Sequence, residues 1–173
     1  MRRQLYLVAA AVSLLLVAAT PAGAATRQPL PAGTTPSPIS KMVCSKKAQH
    51  EIAEVLGVTA SVQTPTWLRH LYACNYRYPS GTMTLSVKEL SSWAGTFAYY
   101  RALGKELGFG RKLQNLGQGA FTTGNGSVVV RKDWKVLLVQ IAKLPSQFGR
   151  PATSSKDVAF TVADLILGCW NGD

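Results

Sequence analysis

Carboxylates are scarce in this chain: 8 Asp and Glu stand against 19 Lys and Arg in 173 residues, beside 2 His and 3 Cys. General acid–base work needs titratable groups that converge on one reacting bond. Here Glu51 and Glu54 fall on one helix face, Asp133 in a turn and Asp173 at the terminus, so no pair suggests itself. The two signatures of serine hydrolases, Gly-x-Ser-x-Gly and Ser-x-x-Lys, do not occur. Nor does the Gly-x-x-x-x-Gly-Lys-Ser/Thr phosphate loop, and the glycines at 104, 108, 110, 117, 119, 124 and 126 read as turns. Cys44 with His50, and His70 with Cys74, match no common zinc-ligand spacing. No catalytic residue, metal or cofactor is therefore expected, and an unrecognised hydrolase is the weakest of the readings.

What the chain does have is positive charge and an exported look. Its formal net charge is +11, or +9 once Arg2 and Arg3 are removed. Such a balance favours anionic partners and solubility without choosing among partners. Met1-Arg2-Arg3 precedes an apolar run, Leu5–Ala19, and then Pro21-Ala22-Gly23-Ala24. The run is shorter than the ~20 residues that span a bilayer, and small residues follow it. We expect a Sec signal peptide over 1–24, cut near Ala24, because Arg2-Arg3-Gln4-Leu5 matches the twin-arginine pattern only in part. No cysteine ends the run, so the protein is expected to be secreted rather than lipid-anchored. Residues 25–42 carry Pro29, Pro31, Pro36 and Pro38 among Thr, Ser and Gly, the composition of a linker.

One domain is expected over 43–173. Ser45 can cap a helix whose apolar positions are Ala48, Ile52, Val55 and Leu56, stopped by Gly57. Leu71–Tyr78 and Thr82–Leu90 read as strands turned at Pro79-Ser80-Gly81. Ser91 or Ser92 caps a second helix with Trp93, Phe97, Tyr100, Leu103 and Leu107 as its apolar face. Asn125-Gly126 predicts a tight hairpin. A second reversal is expected at Lys132-Asp133, before a strand from Trp134 to Ile141. That strand is apolar on both sides, Leu137, Val139 and Ile141 against Val136 and Leu138, so it belongs near the sheet centre. A last helix starts near Ser155, with Val158, Val162, Leu165 and Cys169 on one stripe. The order predicts an α+β fold: an antiparallel sheet of five to six strands packed with three helices as a sandwich.

These landmarks resemble a family. Cys44-Ser45 opening a helix, Cys74-Asn75-Tyr76 in a strand, Leu116-Gly117-Gln118-Gly119-Ala120-Phe121 and Arg131-Lys132-Asp133 are similar to small exported domains of unknown function, many of them lipoproteins, from high-GC Gram-positive bacteria. The chain departs from that pattern at Gln118, where the family usually has an acidic residue, and in lacking a lipobox. The resemblance implies a sandwich similar to the fold shared by the photosystem II protein PsbP and the nuclear-import factor Mog1, and no catalytic residues.

Three cysteines in an exported chain make one disulfide and one leftover thiol. Cys44–Cys74 is the favoured pair, pairs with Cys169 remain open, and Cys169 is expected to be a buried inert thiol. The remaining lead is basic. Arg111, Lys112, Arg131, Lys132 and Lys135, with Trp134 beside them, form one candidate binding patch if the Arg111 strand begins at the same sheet end as the Arg131–Lys135 turn. Ordinary edge charges that discourage aggregation would look the same. The functional expectation is a secreted, non-catalytic binding or interaction domain at the cell envelope. Its partner would be another envelope protein or, alternatively, an anionic wall polymer or membrane surface met through the basic end, with nucleic acid the least expected.

Overall fold

The computed structural model describes residues 33–170, so the expected signal peptide and the first part of the linker lie outside the described residues. The chain enters as a short helix α1 (Pro38–Met42) followed by α2 (Lys46–Leu56). Strands β1 (Ser61–Val62), β2 (Thr66–Leu68), β3 (Leu71–Tyr78) and β4 (Gly81–Glu89) lead to helix α3 (Trp93–Glu106). Then come β5 (Phe109–Leu113), β6 (Gly119–Thr123), β7 (Val128–Lys132) and β8 (Lys135–Lys143). A two-stranded ribbon of β9 (Gln147–Phe148) and β10 (Thr153–Ser154) precedes α4 (Ser155–Gly168).

Eight strands form one antiparallel sheet in the order β1-β3-β4-β8-β7-β6-β5, with β2 also paired to β3. The fold is α+β, as the element order predicts, but with more strands than the five to six expected. The additions are the two- and three-residue strands β1 and β2, too short to show any alternation. β8 does lie at the centre, between β4 and β7.

The domain begins earlier than expected. Ser37 caps α1 by accepting a hydrogen bond from Ser40 N at 3.3 Å, and Pro38 occupies the first turn, where its missing N–H costs nothing. Ile39 and Ser40 are buried. Ser37 N (2.8 Å) and the Ser40 hydroxyl both donate to Glu89 Oε1, which gives that buried carboxylate its partners. The proline-rich stretch is thus domain, not linker, from Pro38 onward.

The sheet's two faces are covered differently. On the first, Met83, Leu85 and Val87 of β4 and Leu137, Val139 and Ile141 of β8 meet Ile52 of α2 and Val158, Val162 and Ile166 of α4. Within α2 the buried stripe is Ala48, Ile52 and Leu56; Val55, expected on it, is 48% exposed. The Cys44–Cys74 disulfide, Cα–Cα 5.9 Å, ties the start of α2 to β3 and leaves Cys169 unpaired. On the second face α3 lies over β7 and β8. Its core is small: Leu103, Phe121, Val129 and Val136.

Candidate functional site

Two turns meet at the end of the sheet beneath the start of α3. The reversal after β7 falls one residue later than expected, at Asp133-Trp134, with Lys132 opposite Lys135. Both turn residues have positive φ, 45° and 56°. A two-residue hairpin turn of this kind wants Asn, Asp or Gly there, and a tryptophan in the left-handed region stores strain. Facing it is the turn at 114–118, where Gly117 has φ +59 and an added Cβ would stand 2.7 Å from Val130 Cγ1.

Gln118 joins the two turns. Its backbone N donates to Arg131 O (2.8 Å), its Nε2 donates to Asp133 Oδ1 (3.4 Å), and its Oε1 accepts from Asp133 N (3.1 Å). An acidic residue at 118 would set two carboxylates against each other, which explains glutamine at this position. Arg131 sits just inside, only 8% exposed, and its Nη2 donates to Gln118 O at 2.6 Å. The guanidinium lies 4.1 Å from the Phe97 ring centroid and 5.3 Å from that of Trp93. Above it the Trp93 and Trp134 rings are 5.7 Å apart.

Three of the five buried side-chain polar atoms without a partner among the described residues belong to this turn: Arg131 Nε, Asp133 Oδ2 and Trp134 Nε1. Such groups cost on the order of 1–3 kcal/mol each and call for an explanation. Over them Trp93 is 40% and Phe97 42% exposed, although helical periodicity places both on the buried face of α3. The reason is packing: α3 buries Thr96 and Leu103, and the ring pair lies on its flank above Arg131 rather than above an apolar strand residue. The aromatic strip continues through Tyr100 and Phe121 (4.9 Å) to Phe109 (5.0 Å from Phe121), which is 60% exposed. Burial raises the pKa of Tyr100, partly opposed by the nearby charge of Arg131.

The expected basic patch is divided. Arg131 and Lys135 are buried, Lys135 lying opposite Glu89 across the β4–β8 ladder. Lys132 Nζ donates to Trp170 O (2.6 Å) at the end of α4. Arg111 and Lys112 are exposed on the edge strand β5. That strand starts at the opposite end of the sheet, because Phe109 pairs with Thr123 while Gly119 pairs with Arg131. Lys112 directly follows Arg111 in the strand and so points to the opposite face of the sheet, while a register shift between Phe109 and Lys112 puts Gly110 and Arg111 together in a bulge.

Neither histidine joins a site. His50 Nε2 faces Glu54 Oε1 (3.4 Å) on the exposed side of α2, and His70 lies edge-on to Trp67 in the β2–β3 turn. Among the described residues no three His, Cys, Asp or Glu gather as metal ligands. What the sheet end offers chemically is ring faces and desolvated polar groups, the means of binding. Of the residues expected there, Trp134 joins the ring cluster and Arg131 lies beneath it. The apolar period takes in Trp93 and Phe97 without marking them as surface, and Phe109 and Gln118 have no charge that would point to the site. Comparison with family models, with curated proteins and with solved structures finds no match to this chain.

Proposed function

We propose that the protein is a secreted, non-catalytic binding module that docks on another protein of the cell envelope through the Trp93–Phe97–Trp134 cluster. The observation that carries this reading is exposure of two rings at 40% and 42% directly over a buried arginine. Tryptophan and arginine are the residues in which binding energy concentrates, and they act best where the pocket around them is already desolvated. The strained Trp134 and the unpartnered atoms beside it support the same reading, since strain and unmet polar groups persist where function needs them. A signal-peptide-like start and a disulfide suit an oxidising exterior. The exposed Arg111 and Lys112 favour a second reading, attraction to an anionic wall polymer or membrane surface.

Retention of the mature protein on its own envelope fraction separates the two. Trp93→Ala and Phe97→Ala should each weaken retention about tenfold or more, with little dependence on salt. Retention that collapses between 50 and 200 mM salt (an ionic-strength range of the order that strips polyanion binders) and ignores both substitutions would replace the first reading with the second.

A further inference from the structure

On the opposite face of the same edge hairpin lies a cleft of about 520 Å³ that the aromatic cluster does not touch. Its floor is β5 and β6 and its wall is the first turns of α4. Ligand sites typically measure about 300–1,000 Å³ and combine apolar lining with a few placed polar groups. Here Arg111 and Lys156 line the cleft together with Leu113 and Phe160, the latter 41% exposed. Neither the Arg111 guanidinium nor the Lys156 ammonium has a hydrogen bond or ion pair among the described residues. The one carboxylate in the lining, Asp157, accepts the Ser154 hydroxyl hydrogen bond at 2.7 Å.

The local backbone keeps this space open. The bulge in β5 brings Gly110 and Arg111 both to the cleft, where a regular strand would send one of them to the other face. Arg111 N donates to Thr122 Oγ1 (3.0 Å), which holds the bulge. A Cβ on Gly110 would stand 2.7 Å from Thr122 Oγ1. One on Gly126 would stand 2.5 Å from Lys156 Cγ, so the hairpin glycine is what lets the lysine stem lie across the cleft's end.

We infer that this cleft binds an amphiphilic anion, a phosphate- or carboxylate-headed molecule with an apolar tail, the head held by Arg111 and Lys156 and the tail against Leu113 and Phe160. This site is independent of the aromatic cluster and stands whether or not that cluster docks a protein. The test is calorimetric titration of the full mature chain with dodecyl phosphate below its micelle concentration, with dodecyl maltoside and inorganic phosphate as parallel probes. Dodecyl phosphate should bind saturably at one site, and Arg111→Gln with Lys156→Gln should weaken it by about tenfold or more, as loss of charged hydrogen bonds does. Phe160→Ser should weaken dodecyl phosphate and leave inorganic phosphate unchanged. All three residues are exposed or half-exposed, and unchanged melting curves would confirm that the variants fold. No saturable binding, equal binding by the Arg111/Lys156 variant, or equal binding of dodecyl maltoside would overturn the inference. Inorganic phosphate binding as tightly as dodecyl phosphate would overturn its apolar half and leave a simple anion site.

Discussion

The two faces of the central sheet use the same strands and opposite residues of each, yet they are finished to different standards. Under α2 and α4 the strand residues 83, 85, 87, 137, 139 and 141 are each at most 2% exposed, and two helices and a disulfide close over them. Under α3 four residues are buried together, and the cover ends in exposed rings above an arginine. Burial of apolar area is the dominant favourable term in folding, so the first face holds the fold together. The second has only enough core to seat α3, and it leaves aromatic area and polar groups unspent at its margin. Surplus of that kind is where a binding surface can reside without weakening the scaffold.

The sharpest way to break this contrast is to truncate one side chain on each face. Leu137→Ala removes a fully buried side chain at the centre of the first face and should cost about 2–5 kcal/mol in urea unfolding. Phe97→Ala removes a ring that is 42% exposed and should cost under about 1 kcal/mol, mostly its contact with Arg131. Comparable losses would mean that the α3 face is as structural as the other.

A smaller effect distinguishes two tyrosines of β3 that share the first face. The Tyr76 hydroxyl donates to Val43 O at 2.7 Å, while the buried Tyr78 hydroxyl has no partner among the described residues. Tyr76→Phe should therefore destabilise by about 1–2 kcal/mol, whereas Tyr78→Phe should be neutral or mildly stabilising. Burial pushes both phenols' pKa well up, and the charge of Tyr78 adds to the rise at Tyr76. A folded-state pKa above the unfolded one gives stability that is complete below the unfolded value of about 10 and is lost as pH climbs past it. Melting temperature should fall above that pH, and more gently in Tyr78→Phe. A melting temperature indifferent to alkali would show that the phenols are less enclosed than their burial suggests.

How much of this is legible in the residues depends on the length of the element. The two-sided apolar pattern of β8 places it at the sheet centre because nine residues suffice to show alternation. β3, β4, α2 and α4 are readable for the same reason, and Ser45, Ser92 and Gly57 mark helix ends where expected. The Asn125-Gly126 signal finds the hairpin but not its loop. Thr123 N donates to Ser127 O and Gly126 N to Thr123 O, making a three-residue loop with Gly126 at φ +86. The site is less legible. Arg131 and Lys135 are written like solvated charges, and only the tertiary structure puts rings over one and Glu89 beside the other. Trp93 and Phe97 fit the apolar period of α3, and nothing in that period tells a ring over the core from one on the flank. Alternation alone puts the adjacent Arg111 and Lys112 on opposite faces. The bulge between Phe109 and Lys112 shifts the period by one, so that the face Arg111 takes relative to Phe109 is not one a pattern of alternation can anticipate.

The smallest effect lies at the rim of the well-finished face, where α4 meets α2. Cys169 is only partly buried, not the enclosed thiol expected from its place on the apolar stripe. Its Sγ donates to Glu51 Oε2 at 3.5 Å, and Lys47 Nζ lies 3.7 Å from Glu51 Oε1. The thiol pKa is raised, by burial first and then by the hydrogen bond and negative charge of Glu51, with Lys47 opposing. Because the thiolate is the reactive form, alkylation by iodoacetamide at pH 8 should run slower than for an unperturbed thiol. Glu51→Gln removes the charge that disfavours the thiolate and should speed the reaction several-fold. Lys47→Gln removes the opposing charge and should slow it further. If neither substitution moves the rate, burial alone silences Cys169, and the first face is as closed at its rim as at its centre.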